Sequence, residues 1–263
     1  MTSATILCDS VAPSGARLTT MRLTMPRFIL AEFNTHRVFS RNAGSSRAIR
    51  VRRRLAAIAA DPVLPVSWGC ERPGMSADEV LPDDVQAIAE QVWRAAAQSA
   101  SAAAAQLADL GVHKQVVNRL LEPFSWVDVV VTSVEWQNFF RLRLSESAQP
   151  EMHQLATQMW AALQQSVPAL VPWGYWHMPT ITHADRALVS SVDDLLQVAA
   201  GRLARVSYEA TGQSWEADRD LAQRLVTDGH WSPFEHCAKA HQGLSQDCRN
   251  FVRDWVQVRA MRE

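Results

Sequence analysis

Apolar and polar positions alternate at the start of residues 16–34, where Leu18, Met21, Leu23 and Met25 stand against Thr20, Arg22 and Thr24. Such alternation predicts a strand or hairpin. It gives way to the continuous apolar run Phe28-Ile29-Leu30-Ala31, which leads the chain into a loop around His36. Residues 61–82 hold Pro62, Pro65, Gly69, Pro73, Gly74 and Pro82, a breaker-rich connection. Asp83 then stands where it can cap a long alanine-rich helix, with Val85, Ile88, Val92, Leu107 and Leu110 as its apolar anchors and Gly111 as its stop.

After Pro123 the β-branched run Trp126 to Val131 predicts a buried strand, and Glu135–Leu142 reads as helical. Pro150 suits the first turn of the next helix, in which Met152, Leu155, Ala156, Met159 and Leu163 fall on one stripe. Residues 166–184 form a second connection, rich in proline and aromatics. Ser191 caps a helix carrying Leu195, Leu196, Ala199, Leu203 and Val206, and Ser214 caps another that ends at Gly229. Few strands and long helices predict a single α+β domain over residues 1–263, with a small antiparallel or mixed sheet.

The 263 residues are 48% apolar and 20% charged, enough to bury a sizeable core. A formal net charge of −1 argues against a nucleic-acid polymer or a bilayer surface as partner, because both require a broad basic field. Arg50, Arg52, Arg53 and Arg54 are the one dense basic run, a solvated helix face or a local funnel for anions. Cys8, Cys70, Cys237 and Cys248 show no CxxC pairing, and neither a signal-peptide pattern nor a membrane-spanning apolar run is present. Reduced thiols and a cytoplasmic location are the resulting expectation.

Three constellations carry candidate chemistry. Thr35-His36-Arg37 is followed, after seven residues, by Ser45-Ser46-Arg47, which places guanidinium groups, hydroxyls and Gly44 in one loop suited to a phosphate ester. Arg119 precedes Pro123, and Arg143 precedes Ala148-Gln149-Pro150-Glu151, so an arginine and a helix N-terminus could hold an oxyanion or a deprotonated heterocycle. Gly229-His230-Trp231-Ser232-Pro233-Phe234-Glu235-His236 places two histidines and a carboxylate at a turn. Adding Cys237, His241 and Cys248 yields spacings unlike the regular zinc arrangements, so no metal is expected.

Together these segments resemble the flavin-dependent thymidylate synthases of the ThyX type. That family's signature is Arg-His-Arg, seven residues, Ser, and an Arg two residues on; this chain has Thr35-His36-Arg37, Ser45 and Arg47, with Ser40 and Asn42 matching inside the gap. Arg119 to Pro123, Asn138-Phe139 with Leu142-Arg143, and Ala148 to Glu151 resemble further family segments. The blocks Ala204-Arg205-Val206-Ser207-Tyr208 and Gly229 to His236, which open the family's sequence, lie here near the C-terminal end, so the order resembles a circular permutation with residues 197–240 as the usual N-terminal block.

The resemblance implies FAD as cofactor, contacted by His36, Arg37 and Ser232, with His230 and Asn138 lining the flavin region. It implies that Ser45, Ser46, Arg47 and Arg119 hold the phosphate and sugar of a pyrimidine deoxynucleotide, dUMP, and that Arg143 stabilises the N3 anion of the ring. Methylenetetrahydrofolate would donate the carbon and NADPH would reduce the flavin, in a homotetramer. The chain departs from the family at Thr35, Ala43 and Glu32, where Arg, Glu and Gln usually stand. Glu32 is placed to read the substrate base: a carboxylate accepts from an exocyclic amino group, so methylation or hydroxymethylation of dCMP is the rival reaction. A non-catalytic flavin- or nucleotide-binding protein and a metal-dependent hydrolase are the readings from other classes.

Overall fold

The computed structural model describes every residue except 75, 76, 78, 190, 209–212 and 263. In chain order the elements are β1 (Ser3–Val11), β2 (Arg17–Pro26), α1 (Leu30–Phe33), β3 (Ser40–Ala43), α2 (Val51–Ala60), α3 (Asp83–Asp109), α4 (Lys114–Val117), β4 (Trp126–Ser133), α5 (Gln137–Arg143) and α6 (Pro150–Gln165). They continue with β5 (Ala169–Leu170), β6 (Trp176–His177), α7 (His183–Leu188), α8 (Val192–Ala204), α9 (Trp215–Thr227), β7 (Ala238–Ala240), β8 (Trp255–Gln257) and α10 (Val258–Arg262). Short 3-10 turns join several of them, including Arg205–Tyr208 and Ser232–His236.

One sheet has the order β3-β4-β2-β1-β5, antiparallel except for the short β1–β5 pair, and a second has the order β6-β7-β8. The fold is therefore α+β, as the element pattern predicts. Because side chains alternate between faces of a strand, β2 divides its apolar residues. Met21, Leu23 and Met25 join Val127, Val129 and Val131 of β4 under α6, whereas Leu18 points the other way, onto Trp255 and Phe251. The stripe Met152, Leu155, Ala156, Met159 and Leu163 of α6 is buried on the first face, as its spacing predicts. α8 covers the second face, with Leu195, Leu196, Ala199 and Leu203 packed near Val130 and Phe234.

Both serine caps form: Ser191 accepts from the Asp194 N–H and Ser214 from the Ala217 N–H. At Gly201 a Cβ would lie 2.0 Å from the Asp218 carbonyl oxygen, so glycine is what lets α8 and α9 touch. Gly229, at φ 73°, supplies the left-handed residue just past α9. α3 departs from expectation. Its N-cap is Pro82 with no side-chain cap, and Ile88 and Val92 are 60% and 65% exposed, with Val85 and Leu110 exposed beside them. The face turned inward is Trp93, Ala97, Ala100, Ala104, Leu107 and Ala108, packed with Ile58, Val117, Leu121 and Phe124. The alanines there let α2 and residues 118–124 approach closely around Trp93 and Leu107, while Ile88 and Val92 remain outside. Arg54 likewise leaves the basic run for the interior, where it is 5% exposed and donates to the Trp126 carbonyl.

A buried polar chain fastens the two sheets together. Ser10 Oγ meets His177 Nδ1 at 2.8 Å, His177 Nε2 meets Thr20 Oγ1 at 2.8 Å, Thr20 meets Thr132 at 2.7 Å, and Thr132 meets His236 Nδ1 at 2.8 Å. Burial holds both imidazoles neutral, with pKa values near 3. In the unfolded chain the same groups titrate near 6.5. Below that pH the unfolded state takes up protons that the folded state refuses, so stability falls as pH drops from 6.5 towards 3. Thermal melts should show a plateau above about pH 7 and a progressive loss below it; a melting temperature flat down to about pH 4 would contradict the buried-histidine assignment.

Candidate active site

β3 lies antiparallel on β4, with Ser40 opposite Thr132 and Ala43 opposite Val129. Ser40 accepts a hydrogen bond from Gln257 Nε2 at 2.9 Å, and Asn42 donates to the Leu203 carbonyl at 2.8 Å. This short, doubly anchored strand separates two loops, and each loop carries one charged cluster.

The first cluster precedes β3. Arg41 Nη1 donates to the Asn34 and His36 carbonyls at 2.8 and 2.9 Å, closing the loop. The His36 ring stacks on Phe39 and meets the edge of Phe139, with centroids 5.9 and 4.9 Å apart. Arg143, at the end of α5, donates from Nε to His36 Nε2 at 3.0 Å and pairs through Nη1 with Glu32 Oε1 at 2.5 Å. Since the guanidinium only donates, His36 Nε2 carries a lone pair and the ring proton sits on Nδ1. Burial, then the charges of Arg143 and Arg41, hold the His36 pKa at about 4. His36 is thus a neutral, aromatic-packed acceptor that orients Arg143.

The second cluster follows β3. Ser46 is buried, and its hydroxyl donates to Glu122 Oε1 at 2.5 Å. Arg119 Nη1 reaches the same oxygen at 2.9 Å and Arg27 Nε at 3.1 Å. Arg27 Nη1 also donates to the Gly44 carbonyl at 2.9 Å, and Asn118 Nδ2 donates to the Ser46 and Ile49 carbonyls. Partial burial pushes the Glu122 carboxyl up, but Ser46, Arg27 and Arg119 outweigh it and hold the group below its ordinary range. Arg27 and Glu122 escape the sequence reading. Glu122 had a faint signal, an acid three residues after Arg119, whereas Arg27 is joined to the cluster only through tertiary contact.

The remaining predicted residues surround these clusters. Arg37 and Arg47 are exposed, without an ion-pair or hydrogen-bond partner among the described residues, and Ser45 is half-buried beside them in the chain. Asn138 is exposed and accepts from Arg141 at 2.9 Å. His230 is exposed and Ser232 half-buried. The turn Ser232–His236 packs on β3, and the turn Arg205–Tyr208 packs on β3 and β4. Blocks near the C-terminal end therefore meet the short strand that lies between the His36 and Ser46 loops. Arg205 itself is committed to Asp218, at 2.5 Å.

Two expectations about anion binding change. The N-terminus of α6 is not open beside Arg143: Gln149 Oε1 accepts from the Met152 N–H, and buried Glu151 accepts from the Val66 N–H. Gly44 does not serve a close approach to a ligand, because its N–H bonds the Asp128 carbonyl of β4 and a Cβ there would meet only ordinary contacts. Among the described residues no group of three His, Cys, Asp or Glu converges as a metal site, and no helix is long and apolar enough to cross a membrane. A cleft of about 480 Å³ runs between residues 147–151, Trp93 and the Pro65–Arg72 segment. Phe28 and Pro123, the residues directly after Arg27 and Glu122, line it.

The His36–Arg143 contact has a direct consequence. Replacing Arg143 by Ala removes one positive neighbour, so His36 should titrate above its present value of about 4 while burial keeps it below 6.5. A ring-proton NMR titration that finds it unmoved would rule out the contact.

The description thymidylate synthase complementing protein belongs to the family model that matches residues 17–169, more than half of the chain. That span holds both clusters but not the blocks at 204–208 and 229–236. Among solved structures, the UMP/dUMP methylase PolB from Streptomyces cacaoi bound with 5-Br UMP superposes with a TM-score of 0.51 at 15% identity, covering 63% of this chain and 89% of that one. Flavin-dependent thymidylate synthase ThyX from Helicobacter pylori, complexed with FAD and dUMP, aligns with a TM-score of 0.38 at 18% identity over 56% of this chain and 67% of that one. A search of curated proteins returns no match. On the strength of the family match, the chain belongs to the thymidylate synthase complementing protein family.

Proposed function

We propose that the protein methylates a pyrimidine nucleoside monophosphate at C5, with dUMP as substrate, methylenetetrahydrofolate as carbon donor and NADPH as electron source, in the cytoplasm. The observation that carries this reading is Arg143, held at two edges by His36 Nε2 and Glu32 Oε1 at the rim of the first cluster. A guanidinium fixed by a neutral imidazole and a carboxylate needs little reorganisation when negative charge develops at N3 and O4 of the ring, and its desolvated setting strengthens the effect. The nucleotide phosphate takes Ser45, Ser46 and Arg47 of the second loop together with Arg119, which the fold brings beside it.

The donor set also fits FAD. Arg37 is exposed and unpaired among the described residues, His230 is exposed, and Ser232 is half-buried in the turn on β3. Arg37, His36 and Ser232 would hold the cofactor, with Asn138 and His230 flanking it; when bound and reduced it supplies hydride. We read the chain as one domain with permuted order, because the 3-10 turns from residues 197–240 pack onto β3 and β4. Val85, Ile88 and Val92 form an exposed apolar stripe on α3 at spacings of three and four, suited to a second copy in a homotetramer. Sedimentation of the purified protein as a monomer would remove the assembly from this reading.

Glu32 commits one oxygen to Arg143, so its hydrogen bond serves the arginine before any base amino group. Purified protein should be yellow, oxidise NADPH in the presence of dUMP and the folate, and release dTMP; Arg143→Ala should lower kcat/KM by roughly 100-fold or more. Product from dCMP or UMP alone would reassign the substrate, and a yellow protein inert with every pyrimidine nucleotide would leave binding without catalysis. A colourless protein carrying stoichiometric zinc would overturn the flavin chemistry altogether.

A further inference from the structure

The second cluster contains a carboxylate where a phosphate-binding loop would be expected to offer only donors. Three donors from three parts of the chain converge on one oxygen: the Ser46 hydroxyl at 2.5 Å, Arg119 Nη1 at 2.9 Å and Arg27 Nε at 3.1 Å from Glu122 Oε1. A hydroxyl and two guanidinium groups around a single oxygen is the arrangement one oxygen of a phosphate ester receives. The two arginine donors differ in exposure, with the accepting carboxylate between them. The Arg27 side chain is 12% exposed, that of Glu122 27% and that of Arg119 57%. Arg27 is therefore the fixed partner and Arg119 the one that solvent or a ligand reaches most readily.

We propose that Glu122 is an internal occupant of the phosphate site, which holds Ser46 and Arg119 until the phosphate of the nucleotide displaces it. The proposal rests on the assignment of Ser46 and Arg119 to the nucleotide phosphate. On displacement Glu122 keeps Arg27 and gives up the other two donors, so no carboxylate is left buried without a cation. The exchange makes the site selective by charge. A phosphate monoester is largely dianionic near neutral pH and can outcompete a single carboxylate, whereas a monoanionic diester has no such advantage. The ligand class that clears the site is thus a nucleoside monophosphate with a free terminal phosphate, and an internal phosphodiester of a nucleic acid is excluded.

The test is calorimetric titration of the full-length protein with dUMP and, separately, with deoxyuridine. Glu122→Gln removes the competing charge but keeps the side-chain size, so it should tighten dUMP roughly tenfold and leave deoxyuridine unchanged. Unchanged or weaker dUMP binding by Glu122→Gln, with dUMP binding still lost in Arg119→Ala, would overturn the proposal and make Glu122 a positioning residue for Arg119. If Arg119→Ala and Ser46→Ala both bind dUMP as the parent does, the phosphate placement fails, and the proposal fails with it. A crystal structure of the unaltered protein with dUMP provides a readout independent of any variant. Phosphate oxygens on Ser46 and Arg119, with Glu122 turned onto Arg27 alone, would support the exchange; Glu122 still on all three donors would refute it.

Discussion

β3 is only four residues long, yet its pairing with β4 decides where both charged clusters stand. An edge strand of that length contributes few ladder hydrogen bonds, so its placement needs outside help. It comes from side chains of distant elements, Gln257 on Ser40 and Asn42 on the end of α8. The polar chain from Ser10 through Thr132 to His236 completes the anchoring, because it ties β4 to the turn that packs on β3. Loosening β4 would therefore move the His36 loop and the Ser46 loop together.

The electrostatic design repeats itself on the two sides of β3. Beside each loop stands an arginine already paired with a carboxylate, Arg143 of α5 with Glu32 and Arg119 with Glu122. For Arg143, whose side chain is 19% exposed, a guanidinium without a partner is costly, and the pairing removes that cost before any ligand arrives; Arg119, 57% exposed, is already solvated. The partners differ in kind. Glu32 shares Arg143 with a neutral imidazole that keeps its own lone pair on the guanidinium, which suits a fixed electrostatic support. Glu122 concentrates three donors on one oxygen, which suits exchange with a ligand oxygen.

The chemistry of the site was legible in part. His36, Arg37, Ser45, Arg47 and Arg143 come from segments whose residue types announce anion binding, and the structure puts His36 against Arg143 at 3.0 Å. Arg27 carried no such signal. It sits among apolar neighbours, and its role depends on Glu122, which is distant in sequence. The helix N-terminus before Glu151 misled for the opposite reason. Its residues fit an oxyanion site, but Gln149 caps its own helix, a choice the linear sequence leaves open between side chain and ligand.

By itself the sequence determined the α+β class, the buried β4, the inward stripe of α6 and the serine caps of α8 and α9, since these follow from interactions within a few residues along one element. Only the tertiary structure decided which face of α3 turns inward: the face with Trp93, Leu107 and several alanines packs on Ile58, Val117, Leu121 and Phe124, and Ile88 and Val92 are left outside. It alone added β1 and the three-stranded sheet whose residues receive Leu18. The same holds for Glu122: a carboxylate next to a proline has no assigned role until the folded chain brings Ser46, Arg27 and Arg119 to one of its oxygens.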